Sequence, residues 1–165
     1  MKKQKETFYF FHINNAPAFK VALKSYLPKI TSTATLLSPP SSQPLAFVNV
    51  AFSQTGLTTL GITDNLGDSQ FSSGQFADAE NLGDDTSQWE APFKGTNIHG
   101  VFLIGSDQVH LSISRGAVVI TDREYQTAYT TQYANDITST FGSSITKVYE
   151  IDAAARPGSE AGHER

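Results

Sequence analysis

Cysteine is absent from the 165 residues, which excludes disulfides, thiolate metal sites, iron–sulfur clusters and cysteine nucleophiles. Charge is scarce as well. Charged residues make up 17% of the chain, and 12 basic residues against 16 acidic ones leave a formal net charge of −4. The only basic cluster lies within Met1–Lys5. Neutralising phosphates takes a basic face, so the chain is read as having no nucleic-acid partner and no anionic membrane partner. No apolar run approaches the roughly 18–20 residues of a membrane-spanning helix, and the short aromatic stretch after the charged start lacks the character of a signal-peptide core. Cytoplasmic and secreted destinations both stay open.

What is present is enough for one folded domain. Apolar residues form 39% of the chain, and 11 of them are Phe. Thr7–Ile13 is aromatic and reads as a strand with both faces covered. Asn15 is placed to cap a helix with Pro17 in its first turn, and Phe19, Leu23, Leu27 and Ile30 mark its apolar stripe. Pro28 weakens the last turn of that helix. Ser38–Pro44 is a loop. Leu45–Phe52 is a second strand, and Ser53 caps a short helix carrying Leu57 and Leu60.

From Asp64 to Glu90 the chain has seven acidic residues and no Lys or Arg, with Phe71, Phe76, Leu82 and Trp89 spaced widely. This is an ordered, irregular excursion tied down by its aromatics. Asn97–Gly105 is a third strand, Tyr129–Phe141 a helix and Ile145–Ile151 a fourth strand. Strands and helices in that order fit an α+β domain of ferredoxin-like type, an antiparallel sheet with helices packed on one face.

Chemistry is sparse. His12, His99, His110 and His163 show no metal-ligand spacing, and His12 and His99 read as packed or edge residues of strands. Asp64–Asp68 and Asp84-Asp85 lack the calcium-loop pattern and read as solvated acidic loops. Gly56–Gly61 lacks the Gly-Lys-Ser/Thr ending of a phosphate loop, and no Ser sits in a nucleophile elbow. The residues alone name no catalytic, cofactor-binding or metal-binding side chain.

Several segments, in order, resemble the N-terminal half of dye-decolorizing (DyP-type) heme peroxidases, in particular the longer fungal members. They are Phe8–Ile13, Ile30–Leu37, Leu45–Ser53, Gly56-Leu57 with Leu60-Gly61, Phe76-Ala77-Asp78, Asp84-Asp85, Trp89, Phe93-Lys94 and Ile98–Phe102. After a gap come Phe141–Ser144, Val148-Tyr149-Glu150, Arg156-Pro157-Gly158 and Gly162-His163-Glu164. The resemblance implies two ferredoxin-like halves forming a dimeric α+β barrel, with heme b in the second half. Hydrogen peroxide and bulky aromatic substrates belong to the intact enzyme. It also implies that a Gly-x-x-Asp-Gly motif with the distal Asp follows Gly-His-Glu, and that a distal Arg and the proximal His come later. The sequence stops at Arg165 before these. The expectation is therefore residues 1–152 as the N-terminal domain and 153–165 as a tail leading toward the distal heme segment. No catalytic or heme-binding residue is carried over to any position here, and this chain alone is expected to bind no heme.

Val109–Gln126 interrupts the resemblance. It is read as an atypical insertion whose 18 residues, starting with a GT-initial codon and ending with Gln, are compatible with an unspliced intron. Gly116–Thr121 within it is a credible extra strand. Functionally, the expected reading is the scaffold half of a heme peroxidase, partnered by the C-terminal half of the same fold. The other class is a non-catalytic binding or dimerisation module forming a homo-oligomer.

Overall fold

Alternation along the first strand decides the architecture. In the computed structural model, β1 (Lys5–Ile13) buries Thr7, Tyr9, Phe11 and Ile13 and leaves the intervening residues half-exposed. A period of two puts the buried set on one face. The structure describes residues 5–154 except 40, 41, 45, 65, 107–110, 115, 116 and 121, with backbone alone for the described residues between 111 and 128. His110, His163 and the tail from 155 onward lie outside the described residues.

The elements that follow β1 are α1 (Ala16–Tyr26), α2 (Thr33–Leu36), β2 (Phe47–Phe52), α3 (Gln54–Thr59), α4 (Ser69–Ser73) and α5 (Gln75–Leu82). Next come β3 (Gly100–Ser106), β4 (Leu111–Ser114), β5 (Ala117–Ile120), α6 (Asp122–Phe141) and β6 (Ile145–Ala154). Four strands form an antiparallel sheet in the order β2-β3-β1-β6. With α1 between β1 and β2, and α6 between β3 and β6, this is the ferredoxin-like arrangement expected from the sequence. β4 and β5 form a separate two-stranded sheet.

The core lies between the sheet and the helices α1 and α6. Tyr9, Phe11, Val48, Phe102 and Ile104 meet Phe19 and Tyr26 of α1 and Ile137 and Phe141 of α6. Asn15 caps α1 as expected, its side chain accepting from the Ala18 N–H at 3.0 Å. The apolar stripe differs at one position. Tyr26, not Leu27, is the buried residue of the last turn, because α1 stops there and Leu27–Lys29 tightens into a 3-10 turn around Pro28. Leu27 is 55% exposed as a result.

Strand boundaries also shift. β3 begins at Gly100 instead of Asn97, and α6 begins seven residues before Tyr129. Gly116–Thr121, expected as an extra strand, contains β5.

Candidate functional site

Two histidines meet where β1 ends and β3 begins. Their imidazole rings lie 3.9 Å apart, centroid to centroid, at a tilt of 32°. His99 is nearly buried and receives the Ile13 N–H on Nδ1 at 3.1 Å. An acceptor nitrogen carries no proton, so this bond fixes the neutral tautomer with its hydrogen on Nε2. His12 Nδ1 faces the Asn97 carbonyl at 2.9 Å and must donate to it. The backbone of His99 is engaged as well: its N–H reaches the Phe11 carbonyl at 2.9 Å, and its own carbonyl accepts from the Ser53 N–H at 3.1 Å. His99 thus ties β1, β3 and the start of α3 together, in keeping with a packed histidine.

Burial first, and His12 second, hold the His99 imidazole below the ordinary histidine range. A folded-state value below the unfolded one means that the native state disfavours the extra proton. Stability is then level above about pH 7.5 and falls as pH drops through the unfolded value of about 6.5, by up to ~1.4 kcal/mol per unit of separation. His99→Asn keeps an acceptor near the Nδ1 position but cannot titrate. The wild-type melting temperature is expected to fall between pH 8 and pH 5.5 by more than that of His99→Asn. Parallel curves would remove this role.

The sheet face turned away from α1 and α6 is apolar and only partly covered. Phe8 stands beside Leu103 and Ile151, and Phe10 beside Val101 and Tyr149. The excursion between α3 and β3 folds over one end of this face. Phe93 packs edge-on against both Phe10 (5.2 Å) and Tyr149 (5.5 Å). The Glu90 carboxylate near the Tyr149 hydroxyl pushes that phenol upward. The rest stays open, with Ile151 39% exposed on β6 and Asn49 and Ala51 exposed on β2 at the opposite edge of the sheet. This corrects the expectation of a β1 covered on both faces: one face is covered by helices, the other only at its end.

The acidic residues of the excursion have local roles. Asp68 caps α4 by accepting from the Phe71 N–H at 2.8 Å, and Asp85 accepts from the Ser87 N–H at 2.9 Å. Bonding to Ser87 holds the Asp85 carboxyl below the usual range. The excursion's aromatics divide: Phe76 meets Trp89 edge-on at 6.0 Å, whereas Phe71 and the aliphatic Leu82 are 37% and 57% exposed.

A family model described as the DyP dimeric alpha+beta barrel domain matches residues 1–157. The chain belongs to the DyP family. It is 45% identical over 164 residues to a dye-decolorizing peroxidase of Auricularia auricula-judae, covering 99% of this chain and 29% of that protein. It is 47% identical over 170 residues to Peroxidase 2 of Mycetinis scorodonius, again covering 99% of this chain and 29% of the relative. A solved dye-decolorizing peroxidase in complex with 2,6-dimethoxyphenol superposes with a TM-score of 0.84 at 59% identity, over 99% of this chain and 34% of that one. The chain therefore corresponds to the N-terminal part of fungal DyPs and spans under a third of the length of the curated relatives it matches.

The DyP-family relatives are heme peroxidases. Heme needs an axial ligand facing a slot for the macrocycle. His99 Nδ1 accepts from Ile13, which leaves the hydrogen on Nε2 and no free lone pair for iron. His12 opens onto a hollow lined by Asn14, Asn97 and Thr146 as much as by Ala91, Pro92 and Val148, not onto an apolar slot for the macrocycle. The cleft beneath the excursion is lined by no His, Tyr, Lys or Arg among the described residues. The described residues do not fit heme. Nor do they gather three His, Cys, Asp or Glu side chains into a metal-binding group, and none of their helices is long and apolar enough to cross a membrane.

Proposed function

We propose that this chain is the N-terminal scaffold of a DyP-type heme peroxidase, contributing one ferredoxin-like half to the barrel and none of the reacting groups. The observation that carries this reading is the half-open apolar sheet face formed by Phe8, Leu103 and Ile151 in a chain of this family. Leaving such a face in water is unfavourable by about 25 cal/mol for each Å², and the second half of the fold is the partner that covers it. Heme b, hydrogen peroxide and aromatic substrates belong to residues that the relatives carry beyond the matched part. A free-standing dimerisation module is disfavoured by the identity to full peroxidases along nearly the whole chain.

The test is reconstitution with hemin. This chain alone is expected to give no sharp Soret band and no peroxide-dependent dye oxidation, whereas a chain extended to the relatives' length gives both. A tightly ligated heme with rapid peroxide turnover in the 165-residue chain would falsify the proposal.

We also propose that residues 109–126 are an insertion into this domain. Supporting this, both strands of the second sheet fall inside the segment, and all four strands of the main sheet fall outside it. Sequencing the mature transcript decides whether the segment is retained; abundant message that includes it counts against an intron.

A further inference from the structure

Below the excursion lies a cleft of about 590 Å³, a volume typical of small-molecule sites. Its walls come from the sheet end (Phe10), from α4 and α5 (Phe71, Phe76) and from the turn before β3 (Phe93). Phe71 and Phe76 stay 37% and 39% exposed, so their rings are available to a ligand. Among the described lining residues Asp78 is the only ionisable one, and it is oriented by Asn81, whose amide donates to Oδ1 at 2.8 Å. The excursion around it, from Asp64 to Glu90, carries seven acidic residues and no Lys or Arg. Phenyl faces are electron-rich and attract cations, the carboxylate does likewise, and no base is there to favour an anion.

We propose that this cleft binds a small aromatic cation of the arylammonium type, its ring against Phe71 and Phe76 and its charge toward Asp78. An aromatic anion meets only repulsion there, and a neutral aromatic gains the ring contacts without the electrostatic part. The site is independent of the scaffold reading, because it uses only residues of this chain and no heme.

The chain holds its own reporter. Trp89 is the single tryptophan, and it packs edge-on against Phe76, so a ligand in the cleft alters its fluorescence. Titration of the full 165-residue chain with benzyltrimethylammonium, benzyl alcohol and benzoate is the experiment. Benzyltrimethylammonium is expected to saturate the signal at a concentration at least fivefold lower than benzyl alcohol, and benzoate to give no saturable change. Asp78→Asn should bring the cation-to-neutral preference below twofold while far-UV circular dichroism stays unchanged. Phe71→Ala, at an exposed position, should weaken the cation at least threefold. No saturable response to the cation, equal affinity for cation and benzoate, or an undiminished preference in Asp78→Asn would each overturn the proposal. Unfolding of Asp78→Asn transfers the decision to Phe71→Ala, whose unchanged affinity would equally sink it.

Discussion

Phe102→Ala is expected to destabilise the domain by about 3–5 kcal/mol, read as a drop in the denaturation midpoint at constant slope. The side chain is fully buried in the middle of β3. Its ring lies 5.0 Å from Phe11, 5.1 Å from Phe141, 6.0 Å from Tyr26 and 6.5 Å from Tyr9. Those four come from β1, α6 and α1, so truncation opens a cavity where the sheet meets both α1 and α6. Collapse around it is resisted on every side, which puts the loss toward the upper end of the range. Native domains are stable by only roughly 5–15 kcal/mol, so this single change brings the protein close to its folding threshold. A loss below about 1 kcal/mol would contradict the packing described.

Gly56→Ala is the second large effect, and its direction runs against helix propensity. Alanine favours a helix over glycine by about 1 kcal/mol, yet a Cβ at position 56 would stand 1.9 Å from the His99 carbonyl oxygen and 2.8 Å from its carbon. Both are backbone atoms, so no rotamer change relieves the clash. α3 must move away, and with it go the Ser53 N–H bond to His99 and the Ser53 hydroxyl bond to the Ile98 carbonyl at 2.8 Å. A net loss of more than about 2 kcal/mol is expected. Thr58→Ala, on the exposed side of the same helix, should stay within about 0.5 kcal/mol. Equal stability of the two variants would show that α3 is not seated on His99.

Local signals in the sequence carried far. Asn15 and Ser53 were legible as caps because a capping side chain bonds to an N–H three residues on. The order of strands and helices, with the family resemblance, led to the ferredoxin-like sheet. Legibility failed where the deciding contact was distant. Phe10, Phe93 and Tyr149 come from three separated parts of the chain, and no periodicity in any of them announces the cluster. His12 and His99 likewise looked like two unrelated strand residues until the sheet register placed them side by side. Leu27 was misread for a different reason. A four-residue spacing holds only while the helix continues, and Pro28 ended it one residue earlier.

The position of β1 between β3 and β6 has a consequence for biosynthesis. Thr7 and Asp152, which share a hydrogen bond of 2.6 Å across β1 and β6, are 145 residues apart. At translation rates of about 5–20 residues per second, the first strand waits roughly 7–30 s for its last neighbour to be made. Throughout that interval an aromatic-rich strand is out of the ribosome with a vacant flank, and that is when a holdase chaperone has the most to protect.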